Sequence, residues 1–137
     1  MSKMIFVNLP VADLPTAIAL YEAIGFTINP QFSDATAAGM VWSETIHVML
    51  LTHDKWSSFT TRPIPPTTSS EVSLALALDS REDVDRMIEA AAAHGGNADI
   101  NPVQDHPFMY GRDFTDADGH VWGPFWMDMA AMPPSGA

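Results

Sequence analysis

Hydrophobic and polar positions alternate along this chain in two rounds of the same order. Residues 4–9 form a short apolar run of strand character, in which Ile5, Val7 and Leu9 share one side and Phe6 and Asn8 the other. Asp13 then stands where a helix N-cap belongs, and Pro15 falls in the first turn, where a missing N–H costs nothing. Leu14, Ala17, Ile18, Tyr21 and Ile24 recur at helical spacing until Gly25 closes the helix. Strand-like pieces follow around residues 26–28, 37–42 and 46–51, with Ser43-Glu44 as a turn. The first round reads β-α-β-β-β.

The second round opens on residues 72–78. Val72, Leu74, Leu76 and Leu78 occupy one face and the smaller Ser73, Ala75 and Ala77 the other. Ser80 caps a helix lined by Val84, Met87, Ile88 and Ala91, with Asp83 in the capping-box position, and His94-Gly95-Gly96 ends it. His94 is placed to interact with the helix dipole. Strands are expected around residues 98–100, 109–114 and 120–127, and Asp118-Gly119 predicts a type I′ hairpin turn. The triplets Ile28-Asn29-Pro30 and Ile100-Asn101-Pro102, 72 residues apart, mark corresponding points of the two rounds. Such a period suits two copies of one supersecondary unit packed as a pair. The expected division is a first βαβββ module over 1–56, a Pro/Thr/Ser-rich connector over 57–70, a second module over 71–128 and a tail over 129–137, frayed from residue 132. The pattern breaks over residues 52–70, where Trp56 and Phe59 suggest packing on the body or over a cavity mouth.

Composition narrows the classes. The 47% hydrophobic content of the 137 residues supplies a proper core. The absence of cysteine excludes disulfides and thiolate chemistry. A charge of −11, from 17 acidic and 6 basic side chains, argues against nucleic acid and is compatible with a cationic ligand. The N-terminus lacks the apolar run of a signal peptide, and no stretch matches a membrane span, so a cytoplasmic protein without membrane contact is expected.

Val7-Asn8-Leu9-Pro10-Val11-Ala12-Asp13-Leu14, Tyr21 through Gly25-Phe26, Tyr110-Gly111-Arg112 and Asp116-Ala117-Asp118-Gly119-His120-Val121-Trp122 together resemble the vicinal oxygen chelate superfamily. This group includes glyoxalase I, extradiol dioxygenases, fosfomycin-resistance enzymes and bleomycin-resistance proteins. Ala117 stands where the family's hairpin has proline. Within the superfamily, the chain is most similar to the glyoxalase-like group labelled predicted lactoylglutathione lyase. The resemblance covers residues 4–128 and implies an α+β fold of two tandem βαβββ modules forming a cupped mixed sheet, assembled as a homodimer. It also implies divalent-metal ligands on the first and fourth strands of each module. Those positions here are Phe6, Leu50, Ser73 and Gly123, and neighbouring residues do not restore a donor set, so no metal cofactor is expected.

His47 and His53 would lie about 20 Å apart on one strand at roughly 3.3 Å per residue, on the face opposite Leu50 and away from the cup. A non-standard site from His106, His120 and an aspartate remains open. Tyr110 and Arg112 share a strand face. One reading gives Arg112 an anionic ligand group and Tyr110 a hydroxyl role; the other pairs Arg112 with Asp113 or Asp116. Trp122 and Trp126 are expected against the helix, with Phe125 facing the cup beside Gly123. The expected ligand-binding set is therefore Phe6, Asn8, Leu50, Ser73, Tyr110, Arg112, Gly123 and Phe125, around an apolar or aromatic small molecule for which a cationic group would suit the charge. Bulky residues filling the same space as core is the competing reading. In function, a metal-independent binding protein of the bleomycin-resistance type stands against a glyoxalase-like lyase or isomerase using a non-standard site.

Overall fold

The computed structural model describes residues 2–131. Its elements are β1 (Ile5–Val11), α1 (Leu14–Ala23), β2 (Thr27–Asn29), β3 (Ala37–Val41), β4 (Ile46–Thr52) and α2 (His53–Phe59), then β5 (Ser73–Ala77) and α3 (Arg81–Ala93). The chain finishes with β6 (Asn97–Ala98), β7 (Gln104–His106), β8 (Met109–Gly111), β9 (Phe114–Thr115) and β10 (Val121–Met127). The expected frayed tail at 132–137 lies outside the described residues.

Local chemistry sets the helices. Asp13 accepts from the Thr16 N–H and Ser80 from the Asp83 N–H, each satisfying an orphan donor of a first turn. Gly25 at φ +118° and Gly95 at φ +94° turn the chain out of α1 and α3. Each helix lays an apolar stripe on its sheet: Leu14, Ala17, Leu20 and Tyr21 from α1, Val84, Met87, Ile88 and Ala91 from α3.

The first sheet runs β1-β4-β3-β2, with β1 parallel to β4 and the other pairs antiparallel. The second runs β6-β9-β10-β8-β7, with β5 parallel to β10. Opening strand beside closing strand is therefore repeated in both units, as the doubled sequence pattern predicts. In the second unit the second and third strands in chain order are each split in two, as β6 with β7 and β8 with β9. Pro124, buried at the middle of β10, has no N–H to return the bond it accepts from the Arg112 N–H, and the ladder breaks there between β8 and β9.

The helix-covered faces share one core that joins Leu9, Val11, Leu20, Tyr21, Met40 and Leu50 to Leu76, Ile88, Phe114 and Trp122. The other face of each sheet turns away from it. Two details depart from expectation. The Asp118-Gly119 turn is not type I′, because only Gly119 has positive φ (+85°); Asp116 N–H bonds to the His120 carbonyl, as in a type I turn closed by a left-handed glycine. Residues 53–59, expected at the start of the irregular stretch, are helical because the Thr52 hydroxyl caps them through the Lys55 N–H.

Candidate functional site

On β1 the exposed Phe6 and Asn8 alternate with core-facing Val7, Leu9 and Val11. The parallel register sets Phe6 beside His47 and Asn8 beside Met49, so His47, Met49 and Leu51 share the outer face of the first sheet. Phe6 and His47 stack with ring centroids 4.5 Å apart. Leu50 has the opposite parity: it is fully buried in the helix-side core, and its expected place in the cup is corrected to that core. A one-residue difference in strand parity exchanges every side chain between faces. The same correction moves His47 onto the outer face; His53 leaves the strand and begins α2.

Helix α2 lies across this outer face and closes a pocket of about 380 Å³. Its floor is Asn8, Ala37, Met49 and Leu51, and its roof is Lys55, Trp56 and Phe59. Trp56 and Phe59, three apart, project from one side of α2, which is why they point to the same space. The Lys55 ammonium sits 5.3 Å from the Phe59 ring centroid, a cation–π contact. Trp56 Nε1 is buried and has no hydrogen-bond partner among the described residues. The expectation that Trp56 and Phe59 pack over a cavity mouth agrees with this arrangement. Ala37, Met49 and Lys55 were not singled out by sequence; once α2 is known, the Lys55-Trp56 pair is the signal that finds them.

The other expected site residues separate into two groups. Ser73 and Ala75 are exposed on the outer face of the second sheet, and the register puts Gly123 beside Ala75 and Phe125 beside Ala77. A Cβ at Gly123 would stand 2.7 Å from Asp113 Oδ1, so this carboxylate occupies the space that the missing side chain leaves. Tyr110 and Arg112 are not on that face. Tyr110 donates to Asp85 of α3 at 2.6 Å, and Arg112 bonds Asp85 at 2.8 Å and Asp99 at 2.7 Å. Arg81 lies over both the Tyr110 and Trp126 rings, which fixes that side as the helix side. The ion-pair reading of Arg112 thus holds with different partners from the expected Asp113 and Asp116, because Arg112 lies with Tyr110 on the side of the sheet that faces α3. The Tyr110 hydroxyl, then the Arg112 guanidinium, hold Asp85 below its usual 3.8, and Arg112 does the same to Asp99.

Arg112→Met is expected to cost about 1–2 kcal/mol at neutral pH, since these carboxylates are partly exposed and screened. Depressed folded-state pKa values give stability that is present above 3.8 and lost as pH falls through the folded values. The gap between wild type and Arg112→Met in urea melts should therefore narrow below about pH 3.8.

A buried polar network ties the two units together. Tyr21 of α1 donates to Asp116 at 2.6 Å and accepts from Trp122 Nε1 at 2.9 Å. Asp116 also accepts from the Asp118 and His120 N–H groups, and its turn reaches β1 through Asp118 to the Ala12 N–H and His120 to the Pro10 carbonyl. Burial pushes Asp116 up and Tyr21 well above 10.

The sequence matches the Glyoxalase/Bleomycin resistance protein/Dioxygenase superfamily over residues 3–123. The chain belongs to that superfamily. No curated protein matches it. Among solved structures, a hypothetical protein from S. aureus is 26% identical with a TM-score of 0.76, covering 92% of this chain and 95% of its own. A glyoxalase/bleomycin resistance protein/dioxygenase family enzyme from Burkholderia phytofirmans is 16% identical with a TM-score of 0.74, over 92% and 99%. The fosfomycin resistance protein FosX from Mesorhizobium loti is 17% identical with a TM-score of 0.64, over 95% and 93%. These likenesses fix the superfamily fold. A divalent metal of the superfamily kind does not fit the residues present. Phe6 and Gly123 offer no donor atom, the β4 residues beside β1 on the outer face are His47, Met49 and Leu51, and Ser73 supplies a neutral hydroxyl. Among the described residues no three His, Asp or Glu side chains converge; His106 stacks on Phe108, while His120 is held at Pro10.

Proposed function

We propose that this superfamily member is a metal-independent small-molecule-binding protein whose site is the pocket between α2 and the outer face of the first sheet. The observation that carries the reading is the pocket itself: an apolar floor, an aromatic roof and a buried, unpaired donor at Trp56. A buried N–H without a partner is costly, and such groups are rare in folded proteins unless a ligand or water completes them. The ligand is apolar or aromatic. A lyase or isomerase of the glyoxalase type polarises a carbonyl with its metal and moves a proton with a carboxylate, and the residues lining this pocket include no carboxylate and no histidine for either step.

The same proposal includes a homodimer and a cytoplasmic location. Ile5, Phe6 and Val72 are 45–59% exposed, which suits contact with a second copy. None of the described helices is long and apolar enough to cross a membrane.

A thermal-shift screen of apolar and aromatic compounds tests the proposal, since a ligand at a hundredfold excess over Kd adds about 2.7 kcal/mol. Asn8→Trp fills the pocket from an exposed position. It should leave the unligated protein within about 0.5 kcal/mol of wild type and erase the shift given by hits. A hit whose shift survives in Asn8→Trp binds elsewhere and counts against the site.

A further inference from the structure

We infer that the ligand of this pocket carries an anionic, hydrogen-bond-accepting head on its apolar body; the inference rests on the pocket being the binding site. The chain as a whole is strongly acidic, and its net charge taken alone would draw a cation. The pocket has the opposite local chemistry. Lys55 is the charged group among its lining residues, and none of them is acidic. Three of the six basic residues, Arg81, Arg86 and Arg112, are consumed by ion pairs with aspartates, whereas Lys55 has no carboxylate within ion-pair distance among the described residues. Its ammonium is held at the roof by Phe59 instead. Asp34, a carboxylate close enough to be influenced by Lys55, already accepts from Thr36 and Ala37.

The second donor is Trp56 Nε1, on the residue next to Lys55. Adjacent residues of a helix diverge by about 100°, so the two donors approach one head group from different directions rather than side by side. Both are N–H donors, one of them charged, and neither has an acceptor among the described residues. A carboxylate or sulfonate supplies both acceptors, and charge-assisted bonds to it are stronger than neutral ones. An alcohol supplies one acceptor without the charge, and an ammonium head meets Lys55 as a like charge. Trp56 Nε1 is closed to solvent. A bond from Trp56 Nε1 to the head group therefore requires α2, none of whose residues is fully buried, to shift outward on binding. The apolar body then lies over Met49, Leu51 and Ala37.

Isothermal titration calorimetry at low salt with two probes sharing one ring system, naphthalene-1-acetate and naphthalene-1-methylammonium, tests the inference. The acetate is expected to bind at least about tenfold more tightly, a difference of ~1.4 kcal/mol. Lys55→Met should erase that preference. Trp56→Phe should weaken the acetate while leaving the unfolding temperature of the unligated protein unchanged or higher, because it removes an unpaired buried donor. A purely structural role for Trp56 would lower that temperature instead. Equal binding of both probes, lost in Asn8→Trp, would overturn the anionic head and leave the pocket as the site. Binding of neither probe to the wild type would overturn both.

Discussion

Replacing Asp116 with alanine should lower the unfolding free energy by about 3–4 kcal/mol, the largest loss expected from any single polar side chain here. Asp116 is 2% exposed and accepts from the Tyr21 hydroxyl and from two backbone N–H groups. Alanine leaves the buried Tyr21 hydroxyl and two part-buried backbone N–H groups without this acceptor, at about 1–3 kcal/mol each before relaxation and water entry reduce the sum. For a chain of this size, the loss corresponds to a fall in Tm of about 10 °C. The network spans both units, so they should still unfold together, and a cycle with Tyr21→Phe should show strong non-additivity. Its pH dependence runs opposite to that of Arg112. Burial raises the folded-state pKa of Asp116, so its contribution is fully present below the usual 3.8 and declines as pH rises through the folded value. The deficit of Asp116→Ala is accordingly greatest in acid. A deficit that grew toward neutral pH would show that the carboxylate is stabilised in its charged form.

Gly119→Ala should cost about 3 kcal/mol or more, although it adds a single methyl group. The residue has φ +85°, and a Cβ built there would stand 2.0 Å from the Thr67 carbonyl oxygen. The left-handed conformation alone costs a residue with a side chain roughly 1–2 kcal/mol. The clash is with backbone, so relief requires the connector to move rather than a side chain to turn. The connector is thus seated on the same turn that carries Asp116 and Asp118. Two effects are expected in hydrogen exchange and limited proteolysis: faster exchange at residues 64–70 and earlier cleavage there than in wild type. A neutral Gly119→Ala would mean that Thr67 does not rest on the turn.

The two-unit architecture was legible because its signals are local. Caps at Asp13 and Ser80 and the glycines after α1 and α3 follow from backbone chemistry that sequence states directly. The site was less legible because it depends on parity and register. Val48-Met49-Leu50-Leu51 is apolar throughout, so alternation gives no sign of which residues face the core, and Leu50 was assigned to the cup that Met49 and Leu51 in fact border. Tyr110 follows Trp126 to the helix side only through a cross-strand pairing that no local pattern encodes. Helix α2 is seven residues long and mostly polar, and the Pro/Thr/Ser-rich stretch after it masks it. Trp56 and Phe59 stood out as aromatic residues in such a stretch, yet the donor pair that Trp56 forms with Lys55 required the helix.

The most direct test of the central claim is calorimetric titration of naphthalene-1-acetate into protein stripped of metal with EDTA, run in parallel on Asn8→Trp. The account predicts saturable binding with one site per chain, unchanged by stripping and weakened at least about tenfold by Asn8→Trp. Binding that needs an added divalent metal, or that persists undiminished in Asn8→Trp, would contradict it.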